Sequence, residues 1–499
     1  KVRGRGSSIK GFKGASSGVV PWIRQLNNTA VSVDQLGRRK GAIAVYLDAW
    51  HWDIEAFLDL KLNNGDERQR ARDIFPAICI PDLFMEQVEK RGDWYLFDPH
   101  EVRQEMGYSL EDFYDEEKGK GSFRDKYFEC VNNDKLHKKK VKAIDIMKRI
   151  MVSQLETGTP FMFYRDEVNR QNVNKHTGMI YSSNLCTEIT QNQSPTTITK
   201  EYILDNSDEI IIHKKAGDFV VCNLSSINLG KAVPDNVLER LIPIQVRMLD
   251  NVIDLNTIDV KQAVVTNNKY RAIGLGTFGW HHLLALKGIE WETDEAVKYA
   301  DKLYEKIAYL TIKSSMELAI EKGAYPLFEG SEWSNHEYFN RKGYLSNTDN
   351  EMSDKWHDLA QAVKENGIRN SYLMAVAPNG TTANLAGSTA STDPIFNVFY
   401  YEEKKDFKIP VTAPDLNHIT YNVYRKSAYR LNQFDSIKQN GARQKHIDQS
   451  ISFNLYVPNT IRASVLLDLH MQAWKQGLKT TYYVRSTSTE IDDCEWCQS

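Results

Sequence analysis

The chain has 499 residues, a formal net charge of -3, 41% hydrophobic residues and 26% charged residues. This is the composition of an ordinary globular protein that can bury a large core. The nearly balanced charge gives no support to a general nucleic-acid or membrane-surface role, so we expect neither kind of partner. No apolar run approaches the roughly 18 residues that span a bilayer. Six cysteines in a chain of this length do not form a disulfide framework, which favours a cytoplasmic location.

The beginning of the chain is basic and glycine-rich, "KVRGRGSSIKGFKG", and it lacks an initial methionine. We therefore expect that a segment precedes it in the complete protein. Short apolar stretches of β type then alternate with helical patterns, such as "AIAVYL" before "DIEAFLDLK" and "AICI" before "PDLFMEQVEK". This alternation predicts a mainly parallel sheet covered by helices, either open or closed into a barrel.

Helices are predicted further along the chain where apolar residues recur at helical spacing. They cover residues 141–155, 294–322 and 354–365, whereas "SYLMAVAP", "ISFNLYVP" and "LKTTYYVR" are predicted strands. Two charged stretches, residues 115–142 and 190–218, are predicted surface insertions. The last fifteen residues, 485–499, are polar and are predicted to form a mobile tail.

The stretch "SSNLCTEIT" places Asn184, Cys186 and Glu188 at a spacing of two residues. In an extended segment these side chains would point to one face. An amide and a carboxylate would need partners if buried in a core strand, so the pattern favours a reaction site. The alternative is that Cys186 is a small buried hydrophobe. Cys222, in "VVCNLS", lies on another predicted strand, so two thiols could face one pocket.

A second cysteine pattern, Cys494-x-x-Cys497, lies in the predicted tail. It could be half of a zinc site or a redox dithiol. Zinc prefers four ligands, and the tail offers no histidine and no second cysteine pair, so we favour the dithiol.

Two glycine-containing stretches allow alternative interpretations. "GLGTFG", residues 274–279, matches a dinucleotide-binding turn, but the helix behind it is short, and Glu290 and Glu292 come too early for the expected offset of about 20 residues, so tight backbone packing is favoured. His281 and His282 beside it are interpreted as helix-cap or surface groups. "APNGTTANLAG", residues 377–387, could cradle a phosphate through a small polar turn or could be an ordinary capped turn.

Tyr482 and Tyr483 are adjacent in "TTYYVR". By spacing alone they reflect β-propensity, with side chains on opposite faces of a strand.

Taken together and in this order, "SNLCTEI", "VVCNLSSINLG", "RAIGLGTFGWHHLL", "APNGTTAN", "LKTTYYVR" and "CEWC" resemble the large (alpha) subunits of class I ribonucleoside-diphosphate reductases. The resemblance covers essentially the whole chain. It implies a ten-stranded α/β barrel with a central finger loop, over residues 1–484, here without its N-terminal part. It also implies a flexible redox-active tail over residues 485–499 and an effector region near residues 1–45.

The resemblance also implies roles for single residues. Cys186 would form the thiyl radical, Glu188 would act as general base, Asn184 would hold the sugar hydroxyls and Cys222 would be one of two reducing thiols. Tyr482 and Tyr483 would carry an electron hole from a metal cofactor on a radical-generating small (beta) subunit, so no cofactor would be bound by this chain itself.

The remaining roles implied by the resemblance concern phosphates, reductants and effectors. Substrate phosphates would bind at Asn379, Gly380, Thr381 and Thr382. Cys494 and Cys497 would relay electrons from thioredoxin or glutaredoxin. Lys10 and Arg39 would contact or report the bound effector nucleotide (dNTP or ATP).

One departure from the family pattern is important. The second active-site thiol and the first barrel strand belong upstream of "KVRGRGSS", and neither Cys79 nor Cys130 matches that thiol. We therefore expect an N-terminal polypeptide that completes the barrel. The resemblance also implies a homodimer. Two alternatives are an adenosylcobalamin-dependent reductase, against which the tyrosine pair argues, and a non-catalytic nucleotide-binding remnant.

Overall fold

A computed structural model describes residues 2–12, 14–35, 39–346, 352–403 and 408–487. Over these residues helices and strands alternate, as the α/β prediction requires. The strands are β1 (Asp34–Gln35), β2 (Arg39–Lys40), β3 (Ile43–Asp48), β4 (Ile74–Ile80), β5 (Asp93–Phe97), β6 (Lys138–Lys142), β7 (Phe161–Tyr164), β8 (Thr197–Ile203), β9 (Ile210–Lys215), β10 (Leu224–Asn228), β11 (Gly274–Phe278), β12 (Phe399–Glu403), β13 (Lys408–Thr412), β14 (Leu455–Val457), β15 (Thr480–Thr481) and β16 (Val484–Ser486).

The helices differ widely in length, from one turn to eight. They are α1 (Val20–Ser32), α2 (Ile54–Leu58), α3 (Asp82–Glu89), α4 (Pro99–Met106), α5 (Ser122–Asn132), α6 (Ala143–Thr157), α7 (Arg165–Arg170), α8 (Leu229–Ala232), α9 (Leu238–Leu255), α10 (Lys261–Tyr270), α11 (Trp280–Lys287), α12 (Asp294–Lys322), α13 (Glu337–Arg341), α14 (Ser353–Asn366), α15 (Gly380–Leu385), α16 (Thr420–Tyr424), α17 (Gln433–Gln444) and α18 (Ala463–Lys475). Short 3₁₀ turns cover Glu67–Gln69, Leu110–Asp112 and Ala428–Arg430.

A four-stranded sheet has the order β15-β7-β4-β3. β3, β4 and β7 are parallel, and β15 is antiparallel to β7. Every residue of β4 is buried, which is typical of a parallel strand covered on both faces. This explains why β4 is a nearly continuous apolar run rather than an alternating one.

A second group of paired strands comes from the second half of the chain. β10 pairs in parallel with β11, and isolated parallel bridges then join Leu275 to Met374 and Val376 to Ile451. β14 pairs in parallel with β16. In the described residues no backbone pairing joins β3 to β10, so the closed ten-stranded form stays a prediction.

The helix ends follow from local sequence. The Thr293 hydroxyl accepts a hydrogen bond from the Ala296 N–H and caps the start of α12, which ends at Lys322 and is followed by Gly323 with φ +84°. The Asp98 carboxylate likewise begins α4 by accepting from the His100 N–H. The helix predicted over residues 294–322 is confirmed, and those predicted over 141–155 and 354–365 are confirmed within two residues.

The two predicted surface insertions have different outcomes. β8 and β9 form an antiparallel hairpin with a mostly exposed surface, which confirms the prediction for much of residues 190–218. The prediction for residues 115–142 is wrong, because α5 buries Phe123, Tyr127 and Cys130 in the main hydrophobic core. Its charged residues lie on the outer face of a helix whose inner face is apolar. In the described part of the chain, no helix is both long enough and apolar enough to cross a bilayer.

Candidate active site

The central feature of the site is a loop between α7 and β8. We call residues 182–193 the thiol loop. Its two legs are joined by the Gln193 side-chain oxygen, which accepts hydrogen bonds from the Ser182 N–H at 2.9 Å and from the Ser182 hydroxyl at 3.1 Å. The loop turns at its tip, where the Thr187 N–H points to the Asn184 carbonyl at 3.4 Å. The cysteine is therefore held at the end of a hairpin-like loop.

Asn184 and Glu188 meet directly on this loop. The Asn184 amide donates to Glu188 Oε1 at 2.9 Å, and Asn184 Oδ1 accepts from the Ile189 N–H at 3.1 Å. Glu188 Oε2 is buried and has no hydrogen-bond partner among the described residues. An unpaired buried carboxylate oxygen is costly unless something binds it, so this atom is suited to accept a hydrogen bond from a ligand.

Burial determines the acid–base character of Glu188. Desolvation raises the pKa of its carboxyl to about 7, and hydrogen bonds from its own backbone and from Asn184 oppose the rise only in part. A carboxyl that titrates near neutral pH can both accept and return a proton, which is the property of a general acid or base.

Cys186 lies at the loop tip against an aromatic cluster. It is 4% exposed and packs with Phe75, Phe161, Tyr482 and Tyr483. The Tyr482 hydroxyl donates to Cys186 Sγ at 3.7 Å. The Tyr482 and Tyr483 rings lie 4.3 Å apart between centroids, so phenol, phenol and thiol form a contiguous series.

Cys222 lies on the other side of the site. It lines a cavity of about 340 Å³ together with Ser183, Asn184 and Gln191, whereas Cys186 is not among the lining residues. Cys222 is exposed, yet it sits in a concave wall where surrounding protein limits hydration. Desolvation, and then the Glu188 charge, raise the pKa of its thiol to about 12, and Asn184 lowers it slightly. Cys222 is therefore close enough to Glu188 and Asn184 to belong to the same site.

The predicted phosphate turn forms at the start of α15. Asn379 has φ +47°, and its amide donates to the Ser226 hydroxyl on β10 at 2.8 Å. Gly380 and Thr381 line a larger cavity of about 830 Å³, and Thr381 and Thr382 are exposed. The turn is thus tied to β10, the strand that directly follows Cys222.

The predicted effector residues lie near the beginning of the chain. Lys10 is exposed in a tight turn with φ +49°, and Arg39 begins β2, which pairs with β1. Cys494 and Cys497 lie outside the described residues. Among the described residues, no group of three or more His, Cys, Asp or Glu side chains is arranged to hold a metal ion.

The local geometry differs from the extended segment that the residue spacing suggested. Residues 182–190 form no strand, and Thr187 has φ +72°, which breaks the alternation of faces. A turn allows Asn184 to reach Glu188 while Cys186 points to Tyr482. The predicted strand "VVCNLS" likewise begins only at Leu224, so Cys222 precedes it.

The interpretation of "GLGTFG" as tight packing is confirmed. It forms β11, and a Cβ at Gly276 would lie 2.3 Å from the Ala375 carbonyl oxygen. The interpretation of His281 and His282 as cap or surface groups is wrong, because both are buried in α11. His282 contacts the Ser388 hydroxyl at 2.9 Å and the Asp415 carboxylate at 2.8 Å.

Several residues of the site were not predicted from the sequence. The Tyr46 hydroxyl on β3 donates to the Asn184 carbonyl at 2.9 Å. The Thr480 hydroxyl donates to the Thr187 carbonyl at 3.1 Å, and the Ser450 N–H donates to the Glu188 carbonyl at 2.9 Å. Each contacts backbone atoms across a long sequence separation, and nothing in the local pattern indicates such a contact.

Comparison with known proteins gives a consistent result. The family model "Ribonucleotide reductase, barrel domain" matches residues 1–484. The ribonucleoside-diphosphate reductase subunit alpha of Treponema pallidum is 46% identical over 505 residues, which cover 100% of this chain and 58% of that protein. The Helicobacter pylori protein of the same name is 40% identical over 99% of this chain and 66% of its own length. The Synechocystis protein is 35% identical over 100% of this chain and 64% of its own length.

This chain therefore spans roughly three-fifths of the length of these relatives. The match covers the thiol loop, the phosphate turn and the tyrosine pair alike. The chain belongs to the ribonucleotide reductase family.

Proposed function

We propose that this chain carries the catalytic site for reduction of ribonucleoside diphosphates to 2′-deoxyribonucleoside diphosphates. The observation that carries the proposal is the grouping of Asn184, Glu188 and Cys186 on one loop, with the thiol 3.7 Å from the Tyr482 hydroxyl. The substrate class is that printed in the relatives' names, ribonucleoside diphosphates.

The chemical roles follow from the groups available. Cys186, as a thiyl radical, takes the 3′-hydrogen of the ribose and returns it at the end. Glu188 takes the proton of the 3′-hydroxyl, and the Asn184 amide holds the hydroxyls. The 2′-hydroxyl leaves as water, while Cys222 and a second thiol give two electrons and two protons and become a disulfide. The pKa of the Glu188 carboxyl, about 7, suits this exchange.

Radical supply is assigned to a partner. The metal cofactor of a radical-generating beta subunit supplies the oxidising equivalent. Tyr483 and Tyr482 relay it to Cys186, and their ring separation of 4.3 Å supports this path. The Arg485 guanidinium lies 5.2 Å from the Tyr483 ring and marks the far end of the series.

Substrate phosphates bind at the turn of Asn379, Gly380, Thr381 and Thr382, which is supported by its opening onto the larger cavity. Effector nucleotides bind near Lys10 and Arg39, within the region near residues 1–45. Cys494 and Cys497, in the tail of residues 485–499, reduce the active-site disulfide and are restored by thioredoxin or glutaredoxin.

The catalytic unit of residues 1–484 is a ten-stranded barrel completed by an N-terminal polypeptide that brings the second thiol. Among the described residues β3 pairs only with β4 and β10 only with β11, so each can accept another strand. The complete protein is a cytoplasmic homodimer.

The direct test is substitution of the thiol in the fully assembled enzyme. Cys186→Ser removes the thiol that contacts the Tyr482 hydroxyl, so deoxyribonucleoside diphosphate formation falls below detection. Cys130→Ser is the matched control, because Cys130 is buried in α5 within the main core. Equal product formation by Cys186→Ser and the parent would contradict the proposal.

A further inference from the structure

The tip of the thiol loop has a strained backbone. Thr187 has φ +72°, a region that β-branched residues rarely adopt. Thr187 is fully buried, and its hydroxyl has no hydrogen-bond partner among the described residues. Its own side chain therefore does not hold this conformation. Such strain persists only where the surrounding structure enforces it.

The enforcing contacts come from β15 and from the segment around Ser450. The Thr480 hydroxyl donates to the Thr187 carbonyl at 3.1 Å. Ser450 supports Thr480 through a hydroxyl contact of 2.8 Å, and its N–H donates to the Glu188 carbonyl at 2.9 Å. Thr480 and Ser450 are 2% and 0% exposed, so water does not compete with these hydrogen bonds.

Thr480 is also linked to the radical relay by its position. It begins β15 and lies two residues before Tyr482, which follows directly after that strand. The Thr480 hydroxyl reaches the Thr187 carbonyl, one residue after Cys186, while the Tyr482 hydroxyl reaches the Cys186 sulfur at 3.7 Å. A single segment therefore fixes both partners of the hydrogen transfer.

We propose that Thr480 is a positioning residue that holds the strained loop tip so that the Cys186 thiol stays in register with the Tyr482 phenol. This inference rests on the proposed function, because it concerns the same thiol. It adds a residue that touches neither substrate nor radical. Its hydroxyl acts on the thiol loop through the Thr187 carbonyl, and it also lies 3.3 Å from the Ile451 carbonyl and 2.8 Å from the Ser450 hydroxyl.

The chain provides a matched control in the next residue. Thr481 is 1% exposed, and its hydroxyl has no hydrogen-bond partner among the described residues. Its backbone pairs with Met162 on β7, so it occupies the same strand. Thr481→Val and Thr480→Val make the same chemical change in the same element, but only the second removes a contact with the thiol loop.

The first readout is steady-state turnover of the assembled enzyme with its radical-donating partner. Thr480→Val is expected to lower kcat by about tenfold to a hundredfold with KM changed less than twofold, because small misplacement of reacting atoms is costly. Thr480→Ser, which keeps the hydroxyl, should restore most of kcat. Thr481→Val should leave kcat within about twofold of the parent. Parent-like kcat in Thr480→Val would overturn the proposal, as would equal losses in Thr480→Val and Thr481→Val.

The second readout does not depend on catalysis. Alkylation of Cys186 by iodoacetamide, followed by mass spectrometry, reports how firmly the tip is held. Thr480→Val should speed alkylation at least about fivefold and Thr481→Val should not; equal rates in the two variants would overturn the positioning role. Product formation by Cys186→Ser would instead overturn the proposed function. The alkylation rates of the Thr480 and Thr481 variants would still show whether Thr480 holds the loop tip.

Discussion

At the scale of single residues, the chemistry of the site depends on how a carboxyl is buried. Glu188 is 2% exposed, with one oxygen bound by Asn184 and the other unpaired among the described residues. Because desolvation is the largest influence, the pKa rises to about 7. The charged form is therefore available only around neutral pH and above.

The first prediction concerns the pH dependence of turnover. If Glu188 is the general base, kcat/KM should rise with pH along a limb with an apparent pKa of about 7, because only the ionised carboxylate can take the proton. The measurement is a kcat/KM profile between pH 5.5 and 8.5. A flat profile across this range would contradict the assigned role.

The raised pKa of Glu188 also predicts how the stability of the fold depends on pH. A carboxyl whose pKa is higher in the folded than in the unfolded chain stabilises the fold fully below about pH 4.5 and loses that contribution as pH rises through about 7. Glu188→Gln is neutral throughout, so it should gain stability relative to the parent by up to roughly 3 kcal/mol between pH 4.5 and pH 8. Denaturant unfolding at both pH values measures this gain. No pH dependence in the difference would show that Glu188 is not desolvated.

At the scale of elements, close strand packing constrains the residues behind the site. β11 lies between β10 and the segment around Ala375. A Cβ at Gly276 would lie 2.3 Å from the Ala375 carbonyl oxygen, an atom of rigid backbone. This explains glycine at Gly276 without any nucleotide-binding role.

Gly276→Ala should therefore lower the free energy of unfolding by about 3 kcal/mol or more, because the strands must separate to admit the methyl group. Gly288→Ala is the control, since Gly288 has φ +69° but nothing within 4 Å of an added Cβ. It should cost only the backbone strain, about 1 kcal/mol. Denaturant unfolding would refute this explanation if the two variants were equally stable.

Elements with a strong periodic signal were predictable from the sequence. The long amphipathic pattern of residues 294–322 coincides with α12. The predicted strand around Met374 and Val376 is reduced to isolated bridges, because pairing depends on distant partners. The turn at Thr187 was missed because no glycine marks its positive φ.

The candidate site was predictable only in part. Asn184, Glu188 and Cys222 were singled out from residue type and spacing, and the structure brings them together. Tyr482 owes its predicted role to the family resemblance, since two adjacent tyrosines are ordinary in a predicted strand. The expectation that Tyr482 and Tyr483 lie on opposite faces of a strand is wrong, because both lie between β15 and β16 and their ring centroids are 4.3 Å apart. Thr480 gave no signal because its contact with Thr187 spans the fold.

At the scale of the whole molecule, two features support the proposal that this chain acts with other polypeptides. β3 and β10 each pair with one described strand only. The phenols of Tyr482 and Tyr483 lead from Cys186 towards the buried guanidinium of Arg485, which lies 5.2 Å from the Tyr483 ring. A relay of side chains is useful only if the oxidising equivalent arises outside the site.

The prediction at this scale distinguishes class I chemistry from the cobalamin alternative. Turnover should require a second protein with a metal–radical cofactor, and added adenosylcobalamin should not replace it. The measurement is product formation after addition of the second protein alone and after addition of adenosylcobalamin alone. Turnover with adenosylcobalamin alone would contradict the assigned relay.

The most direct test of the central claim is Tyr482→Phe, which keeps the ring and removes the hydroxyl that contacts Cys186 Sγ at 3.7 Å. Tyr164→Phe is the matched control, because the buried Tyr164 hydroxyl donates to the His470 carbonyl at 3.3 Å, away from the thiol. We expect Tyr482→Phe to bind substrate with parent-like affinity and to form no deoxyribonucleotide, while Tyr164→Phe remains active. Parent-like turnover by Tyr482→Phe would contradict the account.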